Sequence, residues 1–163
     1  CRKDAGAIRV DRGAAMELRH DMLTHGVNIV TAHHMERNAG FACAWAAQMG
    51  TGHVLICAGE QSTTREMILA SGKFGLNVLA EDQRGIAKRF GTNSSSTVDK
   101  FEGVDFHMGE SGVPLLNDCV LALECSVEMV HEHGHIDIVI GKVVAAEKRR
   151  VADPRLVYRE EDY

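Results

Sequence analysis

The sequence predicts a mainly β fold, an antiparallel barrel with short covering helices, and three observations lead there. The last third is dense in strand-like text: "VDFHMG", "CVLALECSVEMVHE", "HIDIVIGKVVAAEKRR" and "LVYRE". The two long runs meet at "HEHGH", a compact reversal with Gly134 in it. Only two or three short segments carry helix signals, and the regular β–α alternation that a doubly wound parallel sheet needs is missing.

Taken in order, residues 1–13 are charged and glycine-containing and read as a loose lead-in to one domain spanning 14–163. Met16, Arg19, Met22 and Leu23 then recur at helical spacing, with Gly26 as the stop. "VNIVTAHH" alternates as a strand, and "MERNAG" supplies the turn of a hairpin into "AGFACAWAAQMGTG". That stretch has five alanines, three glycines and the only tryptophan, side chains small enough to pack tightly or to leave room for something flat. "HVLICAG" is a buried strand. "STTREMILASG" reads as a helix capped at Ser62 or Thr63; Thr63 with Glu66 fits a capping box, and Gly72 closes it. "KFGLNVLA" is a strand, "EDQRGIAKRFG" a short helix ending at Gly91, and "TNSSSTVDK" a polar loop and the expected mobile segment.

Composition narrows the function classes. With 163 residues, 45% hydrophobic and 25% charged, the chain can bury a core. A net charge of -5 with scattered basic residues gives no nucleic-acid footprint. No apolar run approaches the roughly 18–20 residues of a membrane helix and no apolar signal segment precedes the first charges, so a cytoplasmic location is expected. Five cysteines without a C-x-x-C pair read as reduced, structural thiols.

Neither usual phosphate loop, G-x-G-x-x-G or G-x-x-x-x-G-K-[ST], occurs, nor does a G-x-S-x-G elbow. The phosphate candidate is "GEQSTTRE", where Ser62, Thr63 and Thr64 stand at a helix N-terminus beside Arg65. Free N–H groups and the helix dipole favour an anion there, although plain capping accounts for the same residues. His131, His133 and His135 alternate in "HEHGH", a spacing that can ligate a metal on one strand but is broken by a hairpin tip. Cys57 is reactive only if exposed beside positive charge. Glu124, in an apolar run, is expected to point to solvent or pair across the sheet.

Several of these stretches, in order, resemble the flavin reductase-like family of FMN-binding split barrels: "HGVNIVTAH", "GFACAWAAQM", "GEQSTTREMILASGKFGLNVLAEDQRGIAKRFG", "DKFEGVDFHMGESGVPLL", "ALECSVEMVHE" and "GHIDIVIGKVVAAE". The resemblance covers roughly residues 16 to 158. It implies a Greek-key split barrel of about six strands, forming a homodimer with FMN, or FAD, near the dimer interface. NADH or NADPH would be the transient electron donor, with a redox partner protein or monooxygenase, iron or oxygen as acceptor. It implies a flavin along Phe41, Ala42, Cys43, Ala44, Trp45, Ala46, Ala47 and Gln48, completed by Cys57, Ala58, Gly59 and Gln61. Ser62, Thr63, Thr64 and Arg65 would grip the phosphate, and Cys57 and His135 are the candidates for a catalytic side chain.

The chain departs from the family pattern at four places. Relatives often carry a hydroxyl where Ala47 stands and a serine or asparagine at Ala44, hydrogen bonds worth about 0.5–1.5 kcal/mol each. Asp-Pro-Pro is replaced by Gly50-Thr51-Gly52, and the hairpin Gly-x-His becomes Gly134-His135-Ile136. The shifted histidine faces the other side of a strand. These departures motivate an alternative, a split-barrel binder of flavin, haem or metal that does not turn over a nicotinamide.

Overall fold

The structure, a computed structural model, describes residues 20–162. The expected lead-in and residues 14–19 of the expected first helix lie outside the described residues. The remainder of that expected helix is not helical: residues 20–23 are turn and bend, and Gly26 forms a β-bridge.

Nine strands and two α-helices follow: β1 (Asn28–His34), β2 (Arg37–Cys43), β3 (Ala46–Met49), β4 (His53–Gly59), α1 (Thr63–Ser71), β5 (Lys73–Val78), α2 (Arg84–Thr92), β6 (Phe106–Met108), β7 (Pro114–Leu116), β8 (Leu121–His133) and β9 (Ile136–Lys148). Seven form one antiparallel sheet in the order β2-β1-β5-β8-β9-β4-β3, one strand more than the resemblance implies, and β6 pairs with β7 separately. β2 and β3 are separated in sequence only by Ala44 and Trp45, yet they stand at opposite edges of that order. Two residues cannot span an open seven-stranded sheet, so the sheet must roll until its edges meet. Cys43 Sγ, 3.7 Å from Cys57 O, bridges the seam. Bulges between Glu124 and Cys125 and between Val127 and Met129 give β8 the bend that this closure needs.

The small-residue stretch is therefore not one strand but two, broken at Ala44-Trp45. β1 is buried on both faces over Asn28–Ala32, as a central strand between sheet and covering elements should be. Ile56, Ile68, Phe74 and Val139 lie in one core cluster. Ile29, Leu79, Phe90 and Leu156 lie in the other. The "LVYRE" segment is no strand: Val157 bridges Gly26 and Arg155 bridges Ala80, while Leu156 between them is buried. Wedged between the ends of β1 and β5, the segment alternates partners and never builds a ladder.

Two further expectations are corrected. The N-cap of α1 is Ser62, whose hydroxyl accepts from Arg65 N at 3.4 Å; Thr63 is already helical, and Glu66 makes no reciprocal cap. Glu124 does not face solvent. It is 2% exposed and accepts from the backbone of Glu110 and Ser111 and the Ser111 hydroxyl, because Gly109 leaves room for its carboxylate against the 109–112 turn.

Candidate functional site

Where the barrel edges meet, an apolar cleft of about 390 Å³ opens. Its floor is Phe41, Ala42, Cys43, Ala44 and Trp45, with Cys57 and Gly59 of β4 beside them. Small side chains at the joint leave a flat-sided space rather than a filled core. The terminal segments supply the far wall. Tyr158 N donates to His25 O at 2.8 Å and Val27 N to Leu156 O at 2.8 Å, which holds His20, Val27 and Tyr158 against the cleft. The His20 ring lies 5.9 Å from that of Trp45, and its Nδ1 is 3.2 Å from Glu160 Oε1.

A second cleft, about 350 Å³, adjoins the first through the shared Phe41 and Gly91. Its walls are polar: Ser62, Thr63 and Thr64 at the start of α1 line it together with Thr92, which ends α2, and Asn93, Ser94 and Ser95 beyond it. Helix geometry leaves the first N–H groups of α1 without a carbonyl one turn back, so this end offers donors. The 92–100 segment, expected to be mobile, is tied to β2: Ser95 Oγ donates to Gly40 O at 3.1 Å and accepts from Gly40 N at 3.3 Å. Gly40 is required there, since a Cβ would meet the Phe90 ring at 2.8 Å.

Not every expected residue reaches these clefts. Ala46, Ala47 and Gln48 lie on β3 and line a different, open cleft of about 630 Å³ with Leu121, Leu123 and Val143. Ala58 is fully buried, and Gln61 lines neither cleft. Arg65 does not line the polar cleft and is committed to Asp137 on β9, with Nε 2.6 Å from Oδ2. His135 is almost fully exposed, its Nδ1 2.8 Å from Glu60 Oε1, while Ile136 takes the place on the apolar cleft. The His131 and His133 rings stack at 6.5 Å without the third histidine. Among the described residues no group of three or more His, Cys, Asp or Glu side chains is arranged to hold a metal.

The thiols are protonated at neutral pH. Burial pushes Cys43 up to about 12 and raises Cys57 as well. Sequence reasoning missed His20, Val27 and Tyr158, brought in by terminal segments far away in the chain. It also missed the residues after α2, which read only as a polar loop. "SSST" offers hydroxyls at a density that could have flagged that loop.

A rolled antiparallel sheet with an apolar, flat-sided cleft opening onto a hydroxyl-lined one defines a class: a split-barrel oxidoreductase domain built around a flat, phosphorylated cofactor. The comparisons with known proteins agree. The family model described as "Flavin reductase like domain" matches residues 18–163. The reductase subunit HsaB of a flavin-dependent monooxygenase from Mycobacterium tuberculosis is 33% identical over 141 residues, 85% of this chain and 74% of that protein. Two solved structures, nitrilotriacetate monooxygenase component B from Mycobacterium thermoresistibile and the NADH:FAD oxidoreductase SgcE6 from Streptomyces globisporus, superpose with TM-scores of 0.77. They are 31% and 28% identical and share 85% of this chain with 77% and 83% of theirs. The chain belongs to the flavin reductase-like domain family, and it is a flavin-dependent oxidoreductase.

Proposed function

We propose that the chain is an NAD(P)H-dependent flavin reductase that binds FMN or FAD across the two adjoining clefts and delivers reduced flavin to a monooxygenase partner. The observation that carries this is the continuity of the clefts: a flat apolar slot over Phe41–Trp45 meets a hydroxyl-lined end at Phe41 and Gly91. A flavin ring system, ribityl chain and phosphate require that order of environments. The bound flavin supplies the redox chemistry, accepting a hydride from reduced nicotinamide.

The chain's residues bind, orient and exclude water. Ala42 and Ala44 would give the ring a small-residue bed beside Phe41, and Trp45, His20 and Tyr158 would keep water from it. Ser62, Thr63 and Thr64 offer hydroxyl and backbone donors to the phosphate end. No side chain need shuttle a proton to the ring, in keeping with a cleft whose thiols are both held protonated.

The name of HsaB's complex, a flavin-dependent monooxygenase of which it is the reductase subunit, supports the partner assignment. The chain acts as a homodimer. The open cleft lined by Ala47, Leu121 and Val143 together with Gln48, Lys148 and Arg155 supports this as a mixed apolar and polar surface for a second copy to cover. Steady-state NADH oxidation that requires added FMN or FAD tests the reading. Flavin-dependent turnover is expected, and tight flavin binding with no turnover would favour the non-catalytic binder instead.

A further inference from the structure

Lys100 is 4% exposed, yet it lines the polar cleft, and among the described residues it is the one charged residue that does. Its Nζ donates to Gly40 O and to Phe90 O, each at 2.8 Å. An ammonium carries three donors, and two are accounted for by neutral carbonyls. Burial, rather than any charged neighbour, dominates its surroundings and weakens its hold on the proton. A buried charge with no counter-charge is costly; the Phe90 ring, its centroid 5.8 Å from Nζ, offers only a weak cation–π contact, and an anion in the cleft would supply the charge that is missing. The two carbonyls hold the ammonium between β2 and the end of α2, the walls that bound the junction of the clefts. Arg65, the cation that the sequence suggests for this task, is spent on Asp137.

From this arrangement we infer that Lys100 is the cation that binds the flavin 5′-phosphate, with Arg65 a positioning residue that fixes the start of α1 to β9. The inference rests on the flavin reading above. FMN and riboflavin separate the two, because they share ring and ribityl chain and differ only in the phosphate.

Fluorescence titrations of the wild-type chain, Lys100→Gln and Arg65→Gln with both ligands form the test. The wild type is expected to prefer FMN over riboflavin by at least about tenfold. Lys100→Gln should cut that preference at least about fivefold while leaving riboflavin affinity within about twofold, and Arg65→Gln, which acts only through the placing of α1 and its donors, should cut it less. A merely structural lysine would weaken both ligands together, so a preserved FMN-to-riboflavin ratio in Lys100→Gln overturns the inference. So does a wild type that binds the two equally, which leaves the flavin reading intact; a wild type that binds neither flavin removes both. If Lys100→Gln does not fold, lysine side-chain NMR of the wild type decides. FMN must shift the Lys100 resonance, assigned through Lys100→Arg, and riboflavin must not; a resonance indifferent to FMN overturns the inference.

Discussion

Cys57 sits on the wall of the apolar cleft, where a flavin ring would pass within reach of its sulfur. Burial raises its thiol above the ordinary range, so at neutral pH it is neither nucleophile nor base. Cys57→Ser should therefore keep flavin-dependent NADH oxidation within about threefold, and a fall of about a hundredfold in kcat would show that the sulfur takes part. Lys100 carries a prediction of its own. Burial lowers it from 10.5 to about 8, so between those values the unfolded chain holds the proton that the folded chain has lost. Stability then rises with pH through that window, the reverse of a lysine that gains an ion-pair partner. Denaturant unfolding across that window should show the wild-type chain gaining stability relative to Lys100→Gln as pH rises; a constant difference would contradict it. At this scale the sequence was informative for hydroxyls and poor for charges. Ser62 to Thr64 were marked by type and place, whereas Lys100 looks like any surface lysine in "VDKFEG", because what buries it is Gly40 and Phe90 from elsewhere in the chain.

Among the elements, the β1–β2 hairpin turns on Met35 and Glu36, both with positive φ, 48° and 58°. A two-residue turn of this kind favours asparagine and glycine. Met35→Asn with Glu36→Gly should stabilise the fold by about 0.5–1 kcal/mol in denaturant titrations, and a lower unfolding midpoint would contradict the turn assignment. The Arg65–Asp137 pair ties α1 to β9, with the two side chains 19% and 4% exposed. Removing one partner of such a pair strands the other, so Asp137→Ala should cost about 3 kcal/mol and disturb the polar cleft as well. The long strands and both α-helices were legible because their patterns are local. The division of residues 39–52 at Ala44-Trp45, the wedge at Leu156 and the Arg65 pairing were not, since each depends on a neighbour distant in sequence.

For the molecule as a whole, strand density and tight turns pointed to an antiparallel fold, but nothing local in the sequence says that β2 and β3 end on opposite edges of a rolled sheet. That closure, which creates the apolar cleft, came into view through the ordered resemblance to a family and then through the topology. No helix among the described residues is long and apolar enough to cross a membrane. Sedimentation should give a particle of twice the 17.8 kDa chain mass, and Ala47→Glu, at an exposed position on the open cleft, should shift it toward the single-chain value. A wild-type chain that sediments singly would rule out the dimer. On the function proposed above, the joined clefts hold a flavin that nicotinamide reduces. The visible spectrum of the purified chain loaded with FMN, before and after anaerobic NADH or NADPH, tests this. The absorption band of oxidised flavin should bleach with either donor or both. A chain that leaves added FMN and FAD free in solution, or holds flavin whose band neither nicotinamide changes, would contradict it.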